Sequence, residues 1–334
     1  MSEIKPFTGV DDRVKLADAV PLSTPFTLNI FPSNLCNFKC RYCAQSLGRE
    51  ALRREYDLPP QNMSLELMER VVRQAAEFPR PFKLVSMMGH GEPLCNPSLP
   101  QMIRLVKEAG IAERVDIITN ASLLTPEYSD RLLEAGLDVL RVSLQGLSAE
   151  KYWETSRAKV DFEEFFQNLA YFYRRRGSCR LYVKVVDAAL AEGEDEVFFR
   201  RFGPVTDRMF IDRIKPVYSR VAYTERERNL SMDRYGNRHE KRLVCPQPFY
   251  MLSVWANGDV APCDALYKAC PLGNVATSTL RAMWESEKRR SFCRLHLEGR
   301  RAQDPACARC CAPDDVQHEA DVLDGKRAEL LGKI

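Results

Sequence analysis

The sequence predicts an α/β fold: an incomplete parallel barrel with a small cysteine-rich domain appended to it. Three observations carry that expectation. Between residues 26 and 220, short apolar runs alternate with amphipathic helical stretches. The apolar runs lack strict polar alternation, as parallel strands covered on both faces should. Beyond residue 240, cysteines and Gly/Pro turns take over from helical periodicity.

A polar extension, residues 1–24, precedes the first strand. Candidate strands are "FTLNIF" (26–31), "KLVSMM" (83–88), "RVDIIT" (114–119), "DVLRVSL" (138–144), "RLYVKVV" (180–186) and "RMFIDRI" (208–214). Between them, "SLELMERVVRQAAEF" opens on Ser64 as N-cap with Glu66 in its first turn, and "LPQMIRLVKEAG" stops at Gly110. "TPEYSDRLLEAG" starts on Thr125-Pro126 and stops at Gly136. Six such units joined by right-handed crossovers curl into a partial (β/α)6, TIM-like barrel over residues 25–220. Reactive groups then belong on the loops after the strands. A charged connector, 221–239, leads to a loop-rich domain over 240–320, expected to be held by metal rather than by a core, and a tail, 321–334, closes the chain. Helical periodicity returns in "TSTLRAMWESEKRRSF" within that domain.

With 334 residues and 45% hydrophobic content, the chain can bury a large core, which excludes disordered and fibrous classes. A net charge of +3 creates no strong global field, and Arg174-Arg175-Arg176 and Arg289-Arg290 read as solvated helix faces or ends, so no nucleic-acid partner is expected. "MSEIKPFTGVDDRVK" has no apolar segment of a secretory signal, and no run reaches membrane-spanning length. The expected location is the cytoplasm, with no membrane partner. In that reducing compartment twelve cysteines point to metal ligation rather than disulfides.

Cys36, Cys40 and Cys43 lie in "SNLCNFKCRYCAQS", directly after the first predicted strand and so at the barrel mouth. A four-iron cube needs four ligands, and three thiolates leave one iron open. Zinc with a distant fourth ligand stays open on the triplet alone. After the second strand comes "GHGEP", Gly89 to Pro93, where glycines allow close backbone approach and Glu92 can accept from an ammonium. After the third comes "ITNAS", with Thr119 and Asn120, and after the fourth "RVSLQG", with Ser143 and Gln145.

Together these segments resemble the radical S-adenosylmethionine (radical SAM) superfamily. The resemblance implies a 4Fe-4S cluster on Cys36, Cys40 and Cys43, with S-adenosyl-L-methionine chelating the open iron. It places Tyr42 against the adenine, Gly89, Gly91 and Glu92 at the amino group, and Asn120 and Ser143 with Gln145 around the rest of the cofactor. His90 and Gln145 depart from the family's usual Gly and Asp, and Gln145 cannot supply the charge of an aspartate. The implied chemistry is reductive cleavage to a 5'-deoxyadenosyl radical that removes hydrogen from an unactivated C–H bond, with electrons from a flavodoxin- or ferredoxin-type reductant.

Downstream, Cys245 and Cys263 flank an "ANGD" hairpin turn, and "DPACARCC" supplies Cys307 and Cys310. This arrangement resembles the SPASM and twitch extensions of the superfamily, and the shorter twitch form fits better because Val316 stands where a further cysteine is expected. The resemblance implies a second, auxiliary 4Fe-4S cluster on Cys245, Cys263, Cys307 and Cys310, saturated and able to pass an electron. Structural zinc is the alternative, and Cys270, Cys293 or Cys311 is a possible substitute ligand. Cys95, beside Glu92, is a candidate hydrogen-atom donor, whereas Cys179, His239, Trp255 and Trp284 read as structural.

The short N-terminal segment before the first cysteine weighs against a peptide-modifying maturase. The compact barrel with a short tail looks like enzymes acting on sugars, aminocyclitols and sugar nucleosides in antibiotic or polysaccharide pathways. The expected outcome is alcohol dehydrogenation, or redox-neutral dehydration, decarboxylation or epimerisation, with a base drawn from Lys184, Asp187 or Asp212. A non-catalytic iron-sulfur electron relay is the alternative of another class.

Overall fold

The computed structural model describes residues 2–7, 13–238, 240–315 and 318–334, so His239 and Val316 lie outside the described residues. Ten strands form one sheet: β1 (Glu3–Ile4), β2 (Thr27–Ile30), β3 (Leu84–Met87), β4 (Val115–Thr119), β5 (Val139–Leu144), β6 (Arg180–Val186), β7 (Arg208–Asp212), β8 (Met251–Val254), β9 (Asp259–Ala261) and β10 (Gly273–Asn274). Their spatial order is β1-β7-β6-β5-β4-β3-β2-β8-β9-β10, parallel from β1 through β8 and antiparallel from there on. All six predicted strands are present, β6 with the expected bounds and the others shortened by one or two residues in all.

The helices between them start and stop where cap chemistry says they should. Ser64 accepts from the Leu67 amide to open Leu65–Ala75, and Thr125 accepts from Tyr128 to open Pro126–Glu134. Gly110 and Gly136 sit at φ 62° and 86°, the left-handed geometry that ends a helix cheaply only with glycine. The predicted 277–292 helix is broken: Leu280–Trp284 ends, and Ser286 caps a new helix, Glu287–Leu297, by accepting from Arg289. A cap residue inside an otherwise periodic stretch starts a fresh helix.

Two expectations are corrected. The extension 1–24 contributes strand β1, whose Glu3 and Ile4 pair with Arg208 and Met209. The C-terminal segment is not held by metal alone, because β8 pairs in parallel with β2 along its whole length and is fully buried. Val254, Val260, Val275, Leu280, Met283 and Trp284 join the same apolar cluster as the barrel strands. Burial of this surface, on the order of 2 kcal/mol per large side chain, ties the segment to the barrel before any ligand binds.

The concave face of the sheet is polar. Ser253, Asn29, Ser86 and Asp116 stand side by side in register across β8, β2, β3 and β4. Asn29 donates to Ser253 at 3.2 Å, Ser86 donates to Asp116, and Arg141 pairs with Asp116 at 3.2 Å. Alternation puts the apolar partners of these residues on the helix-covered face.

Candidate functional site

The loop after β2 is bonded to its surroundings at almost every turn. Asn34 N–H donates to Gln61 O at 2.9 Å, Lys39 N–H to Ser156 O at 2.8 Å and Arg41 N–H to Thr155 O at 2.9 Å. Phe38 is buried between the cysteines and packs edge-on against Tyr152 with ring centroids 6.0 Å apart. Cys36, Cys40 and Cys43 are thereby held half-buried on one loop. Burial raises all three thiol pKa values, and the charges of Cys43 and Glu92 raise those of Cys36 and Cys40 further. Thiols that resist ionisation when bare are released from that cost by a cationic iron centre. Among the described residues no three His, Cys, Asp or Glu side chains approach closely enough to share one metal ion. A four-iron cube takes each thiolate on a different iron and so is held by cysteines standing further apart than the ligands of one ion.

The "GHGEP" loop lies against this one, and its parts do different work from that expected. Gly91 has no room for a side chain: an added Cβ would lie 2.3 Å from Ser33 O and 2.6 Å from Leu35 O. Its close approach is therefore to the cysteine loop, clinched by Glu92 N–H donating to Leu35 O at 2.7 Å. Gly89, at φ 142°, would bring a Cβ 2.9 Å from Phe31. The buried Glu92 carboxylate already accepts from Thr119 Oγ1 at 2.5 Å, Asn120 N at 2.7 Å and Leu94 N at 2.9 Å. Burial pushes its pKa up to about 7 against those three bonds. Most of its capacity goes into joining the loops after β3 and β4, with one lone-pair direction left for an incoming ammonium.

Asn120 continues the tie, donating to Asn37 Oδ1 at 3.0 Å, and Asn37 donates to Ser122 Oγ at 2.7 Å. Tyr42 donates to Gln145 Oε1, and Gln145 Nε2 donates to Ser143 O at 3.0 Å. Here lies the use of the uncharged Gln145: it fixes the aromatic that precedes Cys43. Tyr218, in the loop after β7, lies beside the Cys43 thiol and works against the rise that burial causes in its pKa. Nothing in the sequence around Tyr218 signals this contact.

His90 joins the two halves. Its Nε2–H donates to Asp264 O at 2.9 Å, next to Cys263, and its ring meets Phe31 edge-on at 5.5 Å. Burial, with the Lys268 charge adding, pushes its pKa down to about 4 against the bond to Asp264. An unfolded histidine titrates near 6.5, so the folded chain resists the proton and loses stability as pH falls from about 6.5 toward 4. His90's own share of that loss at pH 5 is on the order of 2 kcal/mol, and because Glu92, raised to about 7, acts in the opposite sense, it is read as the difference between wild type and His90→Gln in urea unfolding at pH 7 and pH 5.

Cys245, Cys263, Cys307 and Cys310 line one small pocket, where burial raises the thiol pKa values and the charges of Cys245 and Cys310 raise those of Cys263 and Cys307 further. Cys270, Cys293 and Cys311 do not line it. Cys293 is buried in a separate apolar cluster, Cys270 faces Lys288 O at 3.9 Å, and Cys311 is turned toward Asp315 and Arg234. His296 does line it and was missed: its Nδ1 accepts from Cys245 N–H at 3.3 Å while its Nε2 lies 3.7 Å from Cys307 Sγ. The signal available was a histidine among only four, one helical turn beyond Cys293 and between the paired cysteines.

The remaining candidates fall in different places. Lys184 is bonded to Asp212 at 2.7 Å on the concave face, with burial lowering its pKa, and the second Asp212 oxygen is buried without a hydrogen-bond partner. Asp187 lines a cleft of about 360 Å³ at the ends of β6 and β7, together with Arg41 of the cysteine loop. Cys95 lies beside Cys36 and Glu92, outside that cleft's lining. Cys179 is buried at the start of β6, in the packing role expected. Trp255 and Trp284 are core residues, as expected.

Comparison with known proteins agrees with this geometry. A family model described as the Radical SAM superfamily matches residues 30–186, and one described as an iron-sulfur cluster-binding domain, SPASM, matches 245–311. A GTP 3',8-cyclase of Chlorobaculum tepidum is 32% identical over 130 residues, covering 39% of this chain and 36% of that protein. A tungsten-containing aldehyde ferredoxin oxidoreductase cofactor-modifying protein of Pyrococcus furiosus is 30% identical over 112 residues, covering 34% of this chain and 28% of that protein. The chain thus spans 28–38% of the length of these curated relatives. Among solved structures, BtrN in complex with AdoMet and 2-DOIA superposes with a TM-score of 0.55 at 19% identity, covering 85% of this chain and 92% of that one. Native anSMEcpe with bound AdoMet gives 0.59 at 17% identity, covering 92% and 96%. Streptococcus suis SuiB bound to precursor peptide SuiA gives 0.59 at 19%, covering 82% and 67%. At these identities the structures establish the shared fold. Among the described residues no helix is long and apolar enough to cross a membrane.

Proposed function

Because the chain belongs to the radical SAM superfamily and carries a SPASM-type iron-sulfur domain, we propose that it removes hydrogen from a carbohydrate-type small molecule: a sugar, an aminocyclitol or a sugar nucleoside. Its cofactors are a 4Fe-4S cluster, S-adenosylmethionine and an auxiliary cluster in the SPASM-type domain. When bound, the first cluster and S-adenosylmethionine supply the radical chemistry. The donor set suits them: Cys36, Cys40 and Cys43 would hold the first cluster, and Cys245, Cys263, Cys307 and Cys310 would saturate the second.

This chain's own residues orient and shield. Tyr42, fixed by Gln145, borders the site of the adenine, and the Glu92 ties hold the two mouth loops in register. The observation that carries the small-molecule reading is the cleft of about 360 Å³, a volume that encloses a sugar or nucleoside but little of a peptide. Asp187, the candidate base that lines this cleft, is placed to take a substrate hydroxyl proton, whereas Asp212 is bonded to Lys184 and lies outside the lining. One Asp187 oxygen accepts from Ile214 N–H at 3.0 Å and the other lies 3.5 Å from Arg226. Peptide modification is the second reading, favoured by the structural likeness to SuiB bound to its precursor peptide.

The test is anaerobic incubation with S-adenosylmethionine, a flavodoxin or ferredoxin reductant and panels of sugars, aminocyclitols, nucleosides and cysteine- or lysine-bearing peptides, followed by product mass. Loss of two hydrogens from a carbohydrate is the outcome of dehydrogenation, and loss of water or carbon dioxide that of elimination. Epimerisation leaves the mass unchanged and incorporates solvent deuterium. Turnover of a peptide with no carbohydrate consumed overturns the proposal. Turnover of neither, with no 5'-deoxyadenosine formed, favours an electron relay.

His296 adds an expectation at the second cluster. Accepting at Nδ1 from Cys245 N–H leaves Nε2 carrying the proton, so it donates toward Cys307 Sγ rather than ligating metal. Hydrogen bonds to ligating sulfur favour the reduced cluster. His296→Phe is expected to move the auxiliary midpoint potential to a more negative value in an EPR-monitored redox titration, leaving iron content unchanged.

A further inference from the structure

The cleft at the ends of β6 and β7 carries a charge pattern that the radical reading does not use. Arg41, Arg213, Lys215 and Arg226 line it, against only two carboxylates, Asp187 and Glu227. Those carboxylates are already shared. Glu227 pairs with Arg41 at 2.7 Å and accepts from Thr224 N–H at 2.8 Å. Asp187 accepts from Ile214 N–H at 3.0 Å and reaches Arg226 only at 3.5 Å.

Two cations are left over. Lys215 is only 6% exposed, and its ammonium is bonded to the carbonyls of Asn229, at 3.2 Å, and Met232, with no carboxylate at bonding distance among the described residues. The nearest acids are engaged elsewhere: Asp315 with Arg234 at 3.0 Å, and Asp233 with the amides of Tyr235 and Asn237. A buried ammonium without a counter-ion is costly, and burial lowers its pKa accordingly. Arg213 is exposed and makes no ion pair among the described residues. A surplus of two positive charges, one buried and one a planar fork, matches a dianion with several acceptor oxygens.

We propose that this cleft holds a phosphate group, so that the substrate is a phosphorylated carbohydrate, either a sugar phosphate or a nucleotide. The inference rests on the function proposed above and narrows its substrate class. Arg41 lies between Cys40 and Tyr42, so a phosphate anchored there tethers the remainder of the molecule next to the cysteine loop. Tethering by a remote, non-reacting group is how binding energy is turned into orientation.

The test is calorimetric titration of the reconstituted protein with pyrophosphate and with inorganic phosphate in low-salt buffer. Wild type is expected to bind pyrophosphate more tightly than phosphate. Arg213→Glu, a solvent-facing change that spares the fold, is expected to weaken binding roughly tenfold or more. A second exposed variant, Arg226→Glu, guards against a local effect at either position. Absence of pyrophosphate binding at millimolar concentration, or undiminished binding in both variants, overturns the inference. 5'-deoxyadenosine release by the same wild-type preparation separates the two readings. Release without pyrophosphate binding sinks only the phosphate inference, whereas binding without release upholds the anion site and sinks the radical function. Sugar phosphates and nucleotides, each compared with its dephosphorylated form as competitor of pyrophosphate, then distinguish the two sources.

Discussion

A chain carrying Cys40→Ala is expected to lose about four of roughly eight irons after anaerobic reconstitution and to form no detectable 5'-deoxyadenosine. The thiol sits between two others on a loop whose backbone is pinned to Thr155 and Ser156 on one side and to Gln61 on the other. With the loop so constrained, no other cysteine can swing into the vacancy. Cys95, although close to Cys36, belongs to a different loop and bonds Glu92 O through its amide at 3.0 Å. The same replacement at Cys293 is expected to leave iron content unchanged, since that thiol packs in an apolar cluster away from both sites. Iron and sulfide determination on the two variants side by side makes the comparison.

Gly91→Ala is expected to be nearly as severe through packing alone. Its new methyl would meet backbone oxygens of Ser33 and Leu35 at 2.3 and 2.6 Å, and backbone pinned by hydrogen bonds cannot give way as a flexible side chain would. Overpacking of this kind costs about 3 kcal/mol or more. Relief would come by separating the "GHGEP" loop from the cysteine loop and breaking the bond from Glu92 N–H to Leu35 O. The expected result is a melting temperature lower by roughly 5–10 °C together with loss of S-adenosylmethionine binding. Gly325→Ala is the control: its Cβ would meet nothing within 4 Å, and the change is expected within about 0.5 kcal/mol.

The barrel was legible because its signals are local. Apolar runs of strand length, Ser64 and Thr125 as caps, and Gly110 and Gly136 as stops each act within a few residues, and the elements fall where those signals put them. The metal-ligand pattern was legible for a related reason, since spacing within a loop or across a hairpin is short-range. What escaped depends on contacts between distant segments. The parallel pairing of β8 with β2 joins residues more than two hundred apart, and the cysteines around "MLSV" drew attention from its strand character. His296 touches Cys245 and Cys307 only because a helix folds back over the hairpin. The approach of Gly91 to the cysteine loop was not legible because a glycine that admits a ligand and one that admits another loop look alike in sequence.

Polar residues on β2 to β7 show the same limit from another side. Asp116, Arg141, Lys184 and Asp212 interrupt otherwise apolar runs, and of these Lys184 and Asp212 were legible as candidates, but which of the four pair was not. Register decides it: Arg141 reaches Asp116 across β4 and β5, and Lys184 reaches Asp212 across β6 and β7. That leaves one Asp212 oxygen buried without a partner, while Asp187 faces the cleft.

The most direct measurement is the EPR spectrum of the reduced, iron-loaded chain with and without S-adenosylmethionine. If Cys36, Cys40 and Cys43 leave one iron open, the added sulfonium compound alters the signal of the first cluster, and 5'-deoxyadenosine accumulates. A fully loaded protein whose spectrum is unmoved, and which yields no 5'-deoxyadenosine under reduction, would contradict the account.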